Sequence, residues 1–245
     1  MIADCHVHVM MYQDPLSLIR QAADHGICLV GVSCTAQEAE RAEAFIAEPN
    51  FYPMAGIHPW YAKSSRFDEK RFERIVSKGF CGFGELGLDP DGTELSLLEQ
   101  ESLLEQELDF ACAHHLPLSL HIRKAHGELV RILKKFAPRL SGGVVHNFTF
   151  SCEIARSYLD LGLCLSVGGH ILKKAPRLIK SLHYAGADKV VLETDADFLH
   201  SGPYDFTALP RQLQTYCEIF GLNEQEAVSR LWRNFQGIVR SGVNK

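Results

Sequence analysis

The chain lacks a C-x-x-C pair, a Ser/Gly linker, a low-complexity tract, a long block of like charge and any apolar run long enough to cross a bilayer. Each absence removes a class of protein. The eight cysteines, at 5, 28, 34, 81, 112, 152, 164 and 217, fall mostly inside apolar stretches, and a chain of 245 residues does not need disulfide staples. They read as free buried thiols in a reducing compartment. The first residues show no basic region followed by an apolar stretch, so a soluble cytoplasmic protein with no membrane attachment is expected. No basic excess is present either. With 25 basic against 30 acidic residues the formal charge is −5, which disfavours a protein that wraps or scans duplex DNA. It leaves room for an enzyme that grips a few phosphates at a strand end. Without a linker or composition break, residues 1–245 read as one domain.

What is present is a regular alternation. Apolar runs of strand length, Ile2–His8, Ile27–Ser33, Tyr52–Ile57, Gly79–Glu85, Leu118–His121, Gly143–His146, Leu163–Val167 and Val190–Glu193, are each followed by a segment of helical length. Thr35–Glu38 and Asn223–Glu226 have capping-box spacing. Over 95–115, Leu97, Leu104, Leu108 and Ala111 recur at helical spacing, with Glu99, Glu101, Glu105 and Glu107 assigned to the positions between. Eight βα units with buried parallel strands predict an α/β fold of the (βα)8 TIM-barrel type. The competing open doubly wound sheet is disfavoured because no G-x-G-x-x-G opens the first helix.

A barrel places its chemistry at the C-terminal ends of its strands. There the sequence puts His6 and His8 on strand 1, His58 after strand 3, Glu85 at the end of strand 4, His121 on strand 5, His146 on strand 6 and Asp195 after strand 8. Imidazoles and carboxylates hold divalent cations. In a regular strand Asp4, His6 and His8 would share one face. Four imidazoles and two carboxylates exceed the needs of one tetrahedral ion, so two cations are expected: His6, His8 and Asp195 on one, His121 and His146 on the other, and Glu85 bridging. Mg²⁺ or Mn²⁺ suits phosphoryl chemistry, and Zn²⁺ suits the imidazoles. Such a pair implies hydrolysis of an ester, amide or phosphodiester, with Asp195 also placed to take a proton from water. His58 is the further candidate for contact with substrate or leaving group. Asp4 and Asp89 are expected to orient imidazoles. Trp60, Tyr61, Phe198 and Tyr204 flank the expected mouth, where one of them could stack on a base. Lys173, Lys174, Arg177 and Lys180 read as a solvated helix face.

Taken in order, Asp4-x-His6-x-His8, Gly56-Ile-His58-Pro59, Gly84-Glu85-Leu-Gly87-Leu-Asp89, His121-Ile-Arg123, Val145-His146-x-Phe148 and Leu192-Glu193-Thr194-Asp195 resemble the motifs of the TatD family of metal-dependent deoxyribonucleases. The resemblance runs from residue 4 to Asn234-Phe235. It implies a TIM-type barrel, one or two divalent cations and 3′-to-5′ exonuclease or related hydrolase activity, with single-stranded or frayed DNA ends as substrate. It also implies that the six residues named above are the metal ligands and that Arg123 contacts phosphate. The chain departs from the family at Asn147-Phe148-Thr149-Phe150, where the family has a small Cys-Phe-Ser-Gly turn, and at Ala196-Asp197, where it has Ser-Pro. Lys124 also replaces an Asp. Bulky Phe150 would narrow the mouth, and Asp197 would repel a nearby phosphate.

Two other functions fit the same residues. One keeps the metals and hydrolyses an ester or amide, such as an aminoacyl-tRNA, a lactone or a cyclic amide. Many barrels of that kind carry a carboxylated lysine where this chain has Glu85, which favours the phosphodiester reading. The other is a non-catalytic nucleic-acid-binding barrel, which a missing ligand would have supported.

Overall fold

The eight apolar runs form parallel strands in a computed structural model of the chain, which describes residues 1–239 apart from the side chain of Phe198. The strands are β1 (Ile2–Val7), β2 (Ile27–Val32), β3 (Phe51–Ala55), β4 (Gly82–Leu88), β5 (Leu118–Ile122), β6 (Gly143–Val145), β7 (Cys164–Val167) and β8 (Val190–Leu192). They pair in sequence order. The first and last strands meet through the residues just past β8: Val7 bridges to Ala196, the His8 N–H donates to the Ala196 carbonyl, and the Asp195 N–H donates to the His6 carbonyl. The expected barrel is therefore the observed one.

Helices α1 (Pro15–Asp24), α2 (Ala36–Ala42), α3 (Glu69–Val76), α4 (Leu97–Ala113), α5 (His126–Phe136), α6 (Cys152–Leu159) and α7 (Pro176–Ala185) follow β1 to β7, and α8 (Phe198–Ser201), α9 (Ala208–Phe220) and α10 (Glu224–Ile238) follow β8. Ser96 with Glu99 forms a full capping box at α4, as does Asn223 with Glu226 at α10. At α2 the expected box is only half formed. Thr35 accepts from the Glu38 N–H, but the Glu38 carboxylate reaches one residue further back, to the Cys34 N–H at 2.8 Å.

Alternating strand residues divide the interior in two. Leu29, Phe51, Phe83, Leu120, Val145, Leu165 and Leu192 pack outward with the helices. Ala3, Cys5, Cys28, Val30, Tyr52, Met54, Cys81, Val144, Cys164 and Val191 fill the lumen, where Phe235 and Ile238 of α10 close its N-terminal end. All eight cysteines are free thiols, six of them buried. Among the described residues no helix is long and apolar enough to cross a membrane.

Two of the strands are irregular where the chemistry-bearing residues lie. The register shifts between Asp4 and Val7 in β1 and between Phe83 and Leu86 in β4. Such irregularities re-aim side chains. Contrary to the sequence expectation, Glu85 sits in the middle of β4 rather than at its end, because the run begins its ladder at Gly82 and continues through Leu88.

Candidate metal centre

The Glu85 carboxylate is buried, and its two oxygens face different imidazoles. Oε2 lies 3.3 Å from His6 Nε2 and 3.6 Å from His8 Nε2. Asp195 Oδ1 stands beside the same two nitrogens, at 3.7 and 3.6 Å. Oε1 lies 2.9 Å from both His121 Nδ1 and His146 Nε2, and 3.3 Å from His58 Nε2. The six residues read from the sequence are thus gathered at one mouth, with Glu85 between two donor groups. The His6, His8 and Asp195 ligand atoms all lie within 4.8 Å of one another, as do those of His58, Glu85 and His121.

Partners on the far side of three of the rings favour a lone pair directed toward the centre. His6 Nδ1 is 2.9 Å from Ser119 Oγ, His121 Nε2 is 3.2 Å from Asp89 Oδ2, and His8 Nδ1 is 3.5 Å from Cys34 Sγ. A proton placed on each of those outer nitrogens leaves the inner one free to ligate. His6 Nε2 is fully buried with no hydrogen-bond partner. His121 Nδ1 and His146 Nε2 lie 3.0 Å apart against the same carboxylate oxygen. Three acceptor atoms converging so closely need a proton or a cation between them, and the donor set suits a divalent cation. His58 differs. Its Nδ1 accepts the Trp60 N–H at 3.2 Å, so its Nε2 carries the proton and acts as a donor toward Glu85.

The same crowding polarises the ionisable groups. Burial would raise the Glu85 carboxyl, but His58, His146 and His6 outweigh it and hold Glu85 well below the usual range. Burial likewise works against the His146 imidazole, yet Glu85 and Asp195 push it up to about 10. His6, stacked on His146 at 4.0 Å, is taken down to about 4 by burial and by the His146 charge. Asp195, despite burial, is lowered to about 2 by His146 and His8.

Several expectations are corrected here. Asp4 orients no imidazole. Its carboxylate accepts from the Thr194 N–H at 2.8 Å, the Thr194 hydroxyl at 2.6 Å and the Tyr204 hydroxyl at 2.7 Å, tying β1 to the segment after β8, because the register shift in β1 breaks the alternation. Tyr204 is accordingly buried and not a stacking face at the mouth. The side chain of Phe198 lies outside the described residues. Asp89 does hold His121, and it also accepts the Trp60 indole N–H at 2.8 Å. Phe150 does not narrow the mouth, since it packs against Phe148 and His126 instead. Asp197 does line the mouth, where it accepts from the His200 N–H and His200 Nδ1. Arg123 lies half-exposed outside the central cavity, 3.7 Å from Asp91.

Other contributors carried no assigned role in the sequence. Glu193 is fully buried, accepts from the Asn147 N–H and the Ser166 hydroxyl, and lies 3.9 Å from His146 Nδ1. Burial pushes it up to about 8 against the His146 charge. Asn147, in the left-handed region at φ 48°, donates its amide to Asp195 Oδ2 at 3.1 Å, leaving Oδ1 toward His6 and His8. Glu107 is buried on the apolar stripe of α4, where it accepts the Ile57 N–H at 2.8 Å beside His58. The sequence reading placed it among outward positions. Its spacing from Leu104 and Ala111 was the signal available.

Above the centre is a cavity of about 300 Å³. Its walls include His8, Cys34, His58, Trp60, Tyr61, Met11, Leu199 and His200, and among the described lining residues there is no Lys or Arg.

The sequence profile of the TatD related DNase family matches residues 3–240. The chain is similar to the 3′-5′ ssDNA/RNA exonuclease TatD of Pantoea sp. (strain At-9b), at 29% identity over 231 residues covering 91% of this chain and 86% of the relative. It is 31% identical to the protein of that name from Edwardsiella piscicida over 204 residues, covering 80% of this chain and 73% of the relative. Among solved structures, YjjV, a TatD homologue from Escherichia coli, superposes with a TM-score of 0.81 over 97% of each chain at 25% identity.

Proposed function

Because the chain belongs to the TatD-related DNase family, we propose that it is a metal-dependent phosphodiesterase, acting as a 3′-to-5′ exonuclease on single-stranded nucleic acid. The observation that carries this reading is the Glu85 carboxylate divided between two groups of lone-pair nitrogens, with Asp195 completing one of them. His6, His8 and Asp195 would hold one divalent cation, His121 and His146 the other, and Glu85 both. Mg²⁺ or Mn²⁺ suits the reaction, and Zn²⁺ is compatible with the imidazoles. The cations supply positive charge for the phosphoryl oxygens and make water more acidic.

The chain's own residues do the rest. Asp195, held on Oδ2 by Asn147, presents Oδ1 to take the proton of the attacking water. As the water oxygen bonds to phosphorus, the bond from phosphorus to the 3′ oxygen breaks. That oxygen takes its proton from water, while His58, whose Nδ1 contact with the Trp60 N–H keeps a proton on Nε2, steadies it as a hydrogen-bond donor. Trp60 and Tyr61 would offer ring surface to the terminal base, and Arg123, which lies outside the cavity 3.7 Å from Asp91, would have to exchange that carboxylate for a phosphate to contact the strand.

The test is digestion of a single-stranded oligonucleotide labelled at its 5′ end. Stepwise shortening from the 3′ end with release of mononucleotides is expected with Mn²⁺ or Mg²⁺, and it should stop in EDTA. Losing several kcal/mol of charge stabilisation, Glu85→Gln should be slower by at least about 10²-fold. Equal rates for Glu85→Gln and the unaltered protein would overturn the reading.

A further inference from the structure

The central cavity contains no Lys or Arg among its described lining residues, although a nucleic-acid strand carries a negative charge at every linkage. Four other basic residues around the mouth are engaged. Lys124 and Arg123 both lie against Asp91, at 2.6 and 3.7 Å, while Lys63 pairs with Glu94 and Lys174 with Glu218. Lys173 is not. It is exposed, and no carboxylate among the described residues lies within ion-pair distance of it.

Lys173 lines a second pocket, of about 220 Å³, on the β7 side of the mouth. Asp195 borders both this pocket and the central cavity. Asn147, Thr194 and the Gly168–Gly169 backbone complete its walls. A Cβ on Gly169 would meet nothing within 4 Å, so the backbone there is open. The turn that follows, Gly169–Lys173, is a 3-10 helix. With three residues per turn, side chains at i and i+3 eclipse, so His170 and Lys173 share one face, and both line the pocket.

We propose that this pocket binds a phosphate of the substrate strand other than the one being cleaved, with Lys173 as its counter-charge and His170 beside it. The inference rests on the phosphodiesterase reading above and gives that reading a direction: the strand passes over Asp195 and leaves across the β7 turn. Lys173 is thereby reassigned from a solvated face to a strand-holding one, while Lys180, which lines a different surface pocket beside Cys152 and Tyr184, is not.

The experiment compares an oligonucleotide with bis(p-nitrophenyl) phosphate, a diester with a single phosphate and no strand. Lys173→Ala is expected to raise KM for the oligonucleotide about fivefold to tenfold at low salt and to leave turnover of the small diester within about twofold. One lost phosphate contact should also make the salt slope of oligonucleotide binding shallower by about 0.7, read by fluorescence anisotropy with a labelled oligonucleotide in EDTA. Lys180→Ala, the control, should change none of these. Equal loss on both substrates, an unchanged slope, or the same slope change in Lys180→Ala would each overturn the pocket. If the unaltered protein cleaves neither substrate, the phosphodiesterase reading itself fails, and the pocket falls with it.

Discussion

The two ends of one barrel lumen are filled on opposite principles. At the N-terminal end, Cys5, Cys28, Val30, Cys81, Val144, Cys164, Tyr52 and Phe235 make a core of thiols, aliphatics and aromatic rings. At the C-terminal end, His6, Glu85, His146 and Glu193 are as deeply buried, yet all are ionisable, and His6 Nε2 and His146 Nδ1 have no hydrogen-bond partner. Burial alone is therefore no mark of a site. The lower end gains from removing apolar surface from water, whereas the upper end leaves polar groups crowded and under-satisfied. Backbone conformation leans the same way: of the five non-glycine residues with positive φ among the described residues, Lys124, Asn147, Lys174 and Asp195 lie beyond strand C-termini, and only His115 precedes a strand. One end stabilises the fold, and the other spends some of that stability on reactivity.

Three substitutions would break or sharpen this contrast. Phe235→Ala, at the lower end, should cost about 3–5 kcal/mol of stability in denaturant melts while leaving the activity per folded molecule unchanged. A large fall in kcat at temperatures where the variant is folded would show that the ends are not separable. Asn147→Ala removes the amide that holds Asp195 Oδ2. Loss of such an outer partner typically costs about 10–100-fold in metal affinity or activity, so calorimetric Mn²⁺ titration should show weaker binding, with a fall in melting temperature of only a few degrees from alanine at positive φ. Melting that drops while affinity holds would make Asn147 a structural residue.

Glu107→Gln should have little effect near pH 4 and a stabilising one at neutral pH. Burial raises the Glu107 carboxyl well above its ordinary 4.5, with only the Ile57 N–H opposing. The folded state thus favours the protonated acid, and native Glu107 costs stability increasingly as pH rises above 4.5. Glutamine keeps the acceptor for Ile57 without the ionisable proton. The variant should match the unaltered protein near pH 4 and exceed it as pH rises toward 8, measured by urea melts. A variant that is less stable at pH 8 would mean that the ionised carboxylate is itself a stabilising partner.

The barrel was legible because its strands are buried on both faces and so read as continuous apolar runs separated by amphipathic segments. The six clustered residues were legible because the C-terminal ends of those runs carry them. What escaped depended on local irregularity or on neighbours distant in sequence. Counting by twos from Asp4 assumed a regular strand, and the register shift in β1 turned Asp4 to Thr194 and Tyr204. Asn147 looked like an intrusion into a small turn. It adopts the left-handed conformation that asparagine tolerates, and its amide has a carboxylate to hold. Glu193 could not be assigned from its own motif, since its partners are Ser166 on β7 and Asn147 just past β6. Glu107 was read among the positions between the apolar ones, although the Ile57 N–H required an acceptor inside.

The joint between the first and last strands has one more consequence. His6 and His8 come from the opening stave and Asp195 from just beyond the final one, so an ion shared by them would act as a clasp across the seam of the ring. It would fasten together two points separated by roughly 190 residues of chain, where few backbone hydrogen bonds do so, and a loop that long is costly to close. Loading the centre would then lock the cylinder shut as well as arm it, and a chelator would loosen the wall at that joint before any other.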